Sequence, residues 1–354
     1  MAIPTEPVGS IPRPQELIDA VAANAAGRLP DDELAGLEQA AVRATIQRFE
    51  ETGSPVISDG EQSKPSFLTY PLTGATNLAG GGVSIGFSDG HERELPLLTG
   101  GPFTYSTFAS EYLLQAKKYA SVPVKQAVIA ASALSLLYPP NGIEGYARDT
   151  FIDDLVAGAA QDVRRCLDLG AHVVQMDFTE GRLACKLDPS LGLLSSFVDL
   201  NNQVLSNFSD EERRRIGIHT CPGGDINATH SADVDYAELL PSLFEVNAGN
   251  FYIQMASEVD KRRVLGIIAE HSRPDQRIFI GVVDPIDPRI ETVEEVKQRV
   301  LEAAEFIPIE RLGTTDDCGF SPFGDDTSTA RDTAFAKIQA RVEGTEAASR
   351  ELGV

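Results

Sequence analysis

Arg215-Ile216-Gly217-Ile218-His219-Thr220-Cys221-Pro222-Gly223-Gly224-Asp225 reads as a short strand running into a tight Pro-Gly-Gly loop. In a strand, side chains at i and i+2 share a face. His219 and Cys221 therefore project together, while Thr220 points away. An imidazole and a thiolate on one side of one strand end make half of a zinc site. The competing reading is a packed Cys beside a hydrogen-bonded His. What separates the two is the set of elements around this strand.

Working outward, the chain is periodic in architecture though not in sequence. Helical patterns at about 14–25 and 31–52 lie between strands at 5–9 and 55–59 or next to them. In the second helix Leu34, Leu37, Ala41, Thr45, Ile46 and Phe49 keep a 3.6-residue stripe, and Gly53 closes it. Further strands are expected at 122–130, 171–177, 215–219, 250–256, 277–283 and 312–317. Helices are expected at 148–169, 190–207, 235–246, 259–271, 292–305 and 327–343. Such alternation implies parallel strands joined by crossover helices. The strands number eight, which closes a (β/α)8 TIM barrel as a single domain over 1–354. An open doubly wound sheet is the alternative, but no glycine phosphate fingerprint follows the first strand. Residues 72–105 break the rhythm. Alternation around Asp89-Gly90 predicts a β-hairpin excursion after the second strand, with His91 at its solvated tip.

Composition bounds the class. The chain has 354 residues and a formal charge of −23, from 30 basic and 53 acidic residues. That balance disfavours nucleic acid and anionic membrane surfaces as partners. There is no long apolar run, and Met1-Ala2-Ile3-Pro4-Thr5-Glu6 carries no signal pattern. Four Cys in a chain this long are no disulfide framework, so a reducing cytoplasm is the expected compartment. Oligomeric state is not legible.

Active sites of such barrels lie at the C-terminal strand ends. The residues there are Ser10, Glu61, Asp177, His219 with Cys221, Gln254 with Glu258, Asp284, and Asp317 with Cys318. Cys318 is distant from Cys221 in sequence, yet strands five and eight share one barrel mouth. His219, Cys221 and Cys318 thus converge as one imidazole and two thiolates, leaving a fourth position open, as in catalytic zinc sites. Cys166 lies mid-helix and is expected to be packed; Cys185 is expected to be structural. His172, at a strand start, falls at the barrel bottom. His230, in the loop after strand five, is a candidate supporting group.

The motifs Val8-Gly9-Ser10-Ile11-Pro12, Asp59-Gly60-Glu61, Gln175-Met176-Asp177, His219-Thr220-Cys221 and Asp317-Cys318-Gly319 resemble, in order, those of the cobalamin-independent methionine synthase family. The match is to its catalytic zinc-barrel half. The superfamily also contains the epoxyalkane–coenzyme M transferase. The resemblance implies alkyl transfer to a thiol, with Zn²⁺ on His219, Cys221 and Cys318. It implies that backbone at Ser10 holds the homocysteine carboxylate, and that Glu61 and Asp177 hold its ammonium. Two positions depart from the pattern. Gln254 stands where the family has a zinc-ligating Glu, and Ile286 stands where it has a His after strand seven. No Trp is present, so the indole platform that helps hold folate is absent.

The residue types fit that chemistry independently. A thiol with pKa near 8.5 is mostly protonated at neutrality, and coordination to Zn²⁺ deprotonates it. With the His replaced, Asp284 or Glu61 is left to protonate a poor leaving group. The expected activity is methyl transfer from an alkyl donor to homocysteine, with Gln254 among the substrate contacts. The alternative is addition of a small thiol, such as coenzyme M, to an epoxide. A zinc hydrolase is less suited, since two thiolates make metal-bound water less acidic than three imidazoles do. A zinc-storing role would leave the Asp and Glu cluster without a purpose.

Overall fold

Six of the expected strands form one parallel sheet in the computed structural model, which describes residues 2–354. They are Gln126–Ile129, Val174–Asp177, Ile216–Thr220, Asn250–Ile253, Arg277–Val283 and Leu312–Asp316, neighbours in chain order. All their residues are buried except Arg277. Strands covered on both faces carry continuous apolar runs, and helices provide the cover. The covering helices include Arg148–Asp168, Gly192–Leu205, Lys261–His271, Val293–Ala304 and Arg331–Leu352. Their starts are written locally. Thr292 and Glu295 form a reciprocal capping box, and Asp260 caps the helix that follows it. Each such cap contributes about 1 kcal/mol.

The first two expected strands, 5–9 and 55–59, do not form ladders. Each makes a single parallel bridge, Thr5 to Thr314 and Ile57 to Val124, at opposite edges of the sheet. Pro4, Pro7 and Pro55 lack the N–H groups a ladder needs. The two segments also meet each other. Ser58 Oγ donates to Gly9 O at 2.7 Å, and Ile11 N donates to Gly60 O at 3.0 Å. Buried Arg341 fastens the first segment by donating to Glu6 O at 2.7 Å while pairing with Asp316 at 2.9 Å.

Four α-helices were not expected: Ala109–Lys117, Ala131–Leu134, Glu180–Leu187 and Asp210–Arg213. All are short; the tertiary core rather than a long periodic stripe stabilises the first three, and a Ser209–Glu212 capping box starts the fourth, which buries no residue. The last helix begins later and runs further than 327–343, ending at Leu352.

The excursion after the second segment is present as two short antiparallel ladders. Ser84–Gly86 pairs with Glu92–Glu94, and Leu78–Ala79 pairs with Leu97–Leu98. His91 is not a solvated tip. Its ring stacks on Phe87 at 4.3 Å, and its Nε2 lies 3.1 Å from buried Asp225 Oδ2. Arg93 Nε donates to the same oxygen at 2.5 Å. The hairpin is thereby docked onto the loop that follows His219 and Cys221.

Candidate active site

Asp177 and His219 are register partners on adjacent parallel strands, so their side chains leave the sheet together. His219 Nδ1 lies 3.1 Å from Asp177 Oδ1. Gln175, two residues earlier on the same face, donates to that oxygen at 2.7 Å. This carboxylate favours the proton on Nδ1, which leaves the Nε2 lone pair free to bind a metal. Among the described residues, buried His219 Nε2 has no hydrogen-bond partner. Cys221 Sγ and Cys318 Sγ lie 2.9 Å apart, and one donor atom from each of the three residues lies within 4.8 Å of the others. Burial opposes an imidazolium here, but Asp177 and Cys318 outweigh it and raise His219 to about 9. Cys221 beside it, together with burial, holds the Cys318 thiol well above the usual range. A divalent ion is the group that would draw such sulfurs into thiolate form. The orphaned nitrogen and the adjoining sulfurs therefore fit a zinc ion.

Two glycines let the surrounding loops close on these donors. Gly223 has φ +69°, and a Cβ there would come within 1.7 Å of His230 Nε2. A Cβ on Gly319 would fall 2.1 Å from Ser10 Oγ. Ser10, Glu61, Asp177, His219 and Cys318 line one small cavity of about 30 Å³. Five segments of the chain, far apart in sequence, thus supply one pocket.

Glu61 sits in the left-handed region at φ 56°, a conformation a side chain of its kind rarely adopts. Its carboxylate pairs with Lys64 Nζ at 3.0 Å, both groups being buried. Burial raises the Glu61 pKa despite Lys64, and Asp177 adds to the rise. Lys64 also donates to Ala127 O at 2.9 Å. Arg13 is consumed structurally. Its guanidinium donates to Ser321 O at 2.5 Å, Glu61 O at 2.6 Å and Lys64 O at 2.9 Å.

Gln254 and Asp284 line neither this cavity nor the larger one beside it. Gln254 Oε1 accepts from Arg182 at 2.9 Å, and Arg182 also pairs with Glu258 at 2.9 Å. The two residues expected near a fourth metal position are thus engaged by a buried cation. Asp284 accepts from Ile286 N at 2.9 Å, and burial raises its pKa. Asp317 is a brace, accepting from Met255 N at 2.8 Å and Ala256 N at 2.7 Å. Cys166 and Cys185 are buried away from the metal donors, as expected. Exposed His172 lies 3.3 Å from Glu6, at the edge of a separate cluster in which Glu6, Lys125 and Tyr252 are buried.

A second cavity of about 760 Å³ shares the walls Phe67, Thr179, Gly223 and Gly224 with the small one. Its lining includes apolar Leu17, Val21 and Leu34 of the first two helical segments and Ile85 and Phe87 of the hairpin. His230, a candidate supporting group from the sequence, and Glu180, which was not among the candidates, also line it. The available signal for Glu180 was its place three residues past Asp177, in a strand exit.

Parallel α/β architecture with a His-Cys-Cys cluster at the C-terminal strand ends defines an α/β protein with a candidate metal centre. The particular family follows from comparison: the chain belongs to the cobalamin-independent synthase catalytic-domain family, whose model matches residues 3–336. A methionine synthase of Saccharolobus solfataricus is 21% identical over 350 residues, covering 99% of this chain and 96% of that protein. One from Sulfurisphaera tokodaii is 22% identical over 354 residues, covering 99% and 94%. Among solved structures, a B12-independent methionine synthase from Shewanella sp. W3-18-1, in complex with selenomethionine, superposes with a TM-score of 0.78. It is 18% identical, and the match covers 99% of each chain.

Proposed function

We propose that this chain is a zinc-dependent methyltransferase that methylates the thiol of homocysteine to give methionine. The sheet, with the Thr5 and Ile57 segments at its two edges, is read as a closed (β/α)8 barrel in one domain, its mouth carrying the site. The observation that carries the reading is buried His219 Nε2, unpartnered beside the sulfurs of Cys221 and Cys318. Family membership and the full-length likeness to methionine synthases support it. Zn²⁺ held by these three residues would supply the charge that keeps the substrate sulfur deprotonated at neutral pH.

The remaining steps belong to the chain. Asp177 Oδ1 is engaged by His219 and Gln175, so Oδ2 is the oxygen for the substrate ammonium. Glu61, charge-balanced by Lys64, is the second anchor. Backbone around Ser10, held in place by Ser321 N donating to Ser10 Oγ at 3.2 Å, takes the carboxylate. The thiolate attacks the methyl carbon, the S–C bond forms, and the donor departs with the electron pair of the broken bond. Metal analysis combined with a homocysteine-consumption assay tests this. About one zinc per chain together with methionine formation is expected. Zinc-dependent ester or amide hydrolysis without thiol consumption would replace the reading with a metal-bound-water mechanism.

A further inference from the structure

Loss of the methyl group leaves a tertiary-amine donor as a poor, basic leaving group, and something in the wall must give it a proton. Several titratable side chains line or flank the two cavities. Glu61 is committed to Lys64 at 3.0 Å. Asp284 lines neither cavity and caps Ile286 N. His230 lines the larger cavity, but burial and nearby Lys186 push it down to about 4, so it is neutral with no readily lost proton. Glu180 is different.

Glu180 lines the larger cavity directly after Thr179, which is common to both cavities. Its hydrogen-bond wiring fixes where a proton sits. Asn201 Oδ1 accepts from Ser132 N at 3.3 Å, which orients the amide so that Asn201 Nδ2 donates to Ser132 Oγ at 2.8 Å. The Ser132 hydroxyl then donates to Glu180 Oε1. Oε1 is an acceptor, so a proton on this carboxyl belongs on Oε2. Among the described residues, buried Oε2 has no partner. A buried carboxyl oxygen without a protein partner is costly unless a ligand completes it. Burial, with Asp177 adding to it against the Ser132 bond, lifts Glu180 to about 8, so the acid form prevails at neutrality.

We propose that Glu180 is the acid that protonates the leaving nitrogen of an N-methyl donor seated in the larger cavity. The inference rests on the methyl-transfer reading above. The homocysteine thiolate forms the S–CH3 bond, and the N–CH3 bond breaks with its pair going to nitrogen. That nitrogen takes the Oε2 proton, and Glu180 is left as a carboxylate that water reprotonates after the donor leaves. Ser132 holds Oε1 throughout. The apolar walls of the cavity, Leu17, Val21, Leu34, Ile85 and Phe87 among them, house the body of the donor, and Arg93, paired with Asp225 and Asp325, offers little to a polyanionic tail.

The test compares two methyl donors in wild type and Glu180→Gln, which keeps the shape and can accept from Ser132. One is the amine 5-methyltetrahydrofolate as its monoglutamate. The other is the sulfonium S-methylmethionine, which departs as a neutral thioether and needs no proton. Glu180→Gln should lose kcat with the amine by about 10²–10⁴-fold, with KM for homocysteine little changed. That loss should exceed the loss with the sulfonium by about a hundredfold. A neutral-acid carbonyl stretch should be present in the infrared spectrum of the wild type and missing from Glu180→Gln, a readout independent of turnover. Equal losses with both donors would make Glu180 structural. No loss with the amine, wild-type activity confined to the sulfonium, or an unchanged infrared spectrum would overturn the proposal. Wild type that turns over neither donor would sink the methyl-transfer reading itself.

Discussion

Asp177 Oδ1 stands 3.1 Å from His219 Nδ1 and accepts from Gln175 at 2.7 Å, so one carboxylate oxygen orients the imidazole from across the sheet. The contact follows from register, since Asp177 and His219 are direct partners on neighbouring strands. Asp177→Asn keeps the shape but offers Nδ1 a weaker acceptor. Zinc affinity, measured by chelator competition, should fall about 10–100-fold. An unchanged affinity would confine Asp177 to substrate binding.

Cys318→Ala removes one of three donors from a site that the large core does not depend on. Zinc content should drop from about one per chain toward zero, with little change in Tm. In cobalt-loaded wild type, homocysteine should alter the visible spectrum through a new Co–S bond. Full metal retention in Cys318→Ala would remove these three residues as the metal site.

Lys64→Met leaves Glu61 buried without its cation. Breaking a buried pair costs about 3–5 kcal/mol, to be read as lowered stability in denaturant melts. The pH dependence has a definite sign. Burial already raises the folded pKa of Glu61, and Lys64 opposes that rise. Without Lys64 the folded pKa climbs further above its unfolded value of about 4.3, so stability is lost as pH rises through that window. The deficit against wild type should be larger at about pH 8 than at about pH 5. Lys64 Nζ also sits 4.7 Å from the centre of the Tyr70 ring, and a deficit independent of pH would mean that Lys64 acts through that contact alone.

The parts legible in the sequence are those with local chemistry. Six strands are written as short segments alternating with helical patterns, and the His219-x-Cys221 spacing puts both donors at one strand end. Cys318 was reachable because alternation of strands and helices places the last strand beside the others. The first two segments were not legible as mere bridges, since their prolines limit pairing without abolishing the path. Nor was the docking of His91 and Arg93 onto Asp225, because no local pattern tells which surface a hairpin will meet. Glu180 escaped for a similar reason. Its meaning depends on Ser132 and Asn201, which come from other elements.

The identity of the thiol follows from which charges remain free around the small cavity. Arg13 and Lys64 both follow early strands and could in principle have received a sulfonate. Arg13 instead spends its guanidinium on Ser321, Glu61 and Lys64 oxygens, and Lys64 is closed by Glu61 and Ala127. The cavity lining itself carries Glu61 and Asp177 and no cationic side chain beyond His219. An ammonium is attracted to that surface and a sulfonate is repelled. Charges about 4 Å apart interact by about 4 kcal/mol at an intermediate dielectric. After desolvation, one ammonium contact is worth on the order of 1.5–3 kcal/mol, or about ten- to a hundredfold in affinity. Homocysteine should therefore outcompete coenzyme M by that factor in a competition assay with zinc-loaded protein, and the preference should shrink in Asp177→Asn. Tighter binding of coenzyme M by the wild type, with no homocysteine penalty in Asp177→Asn, would show that these carboxylates serve another purpose and would favour epoxide opening over methyl transfer.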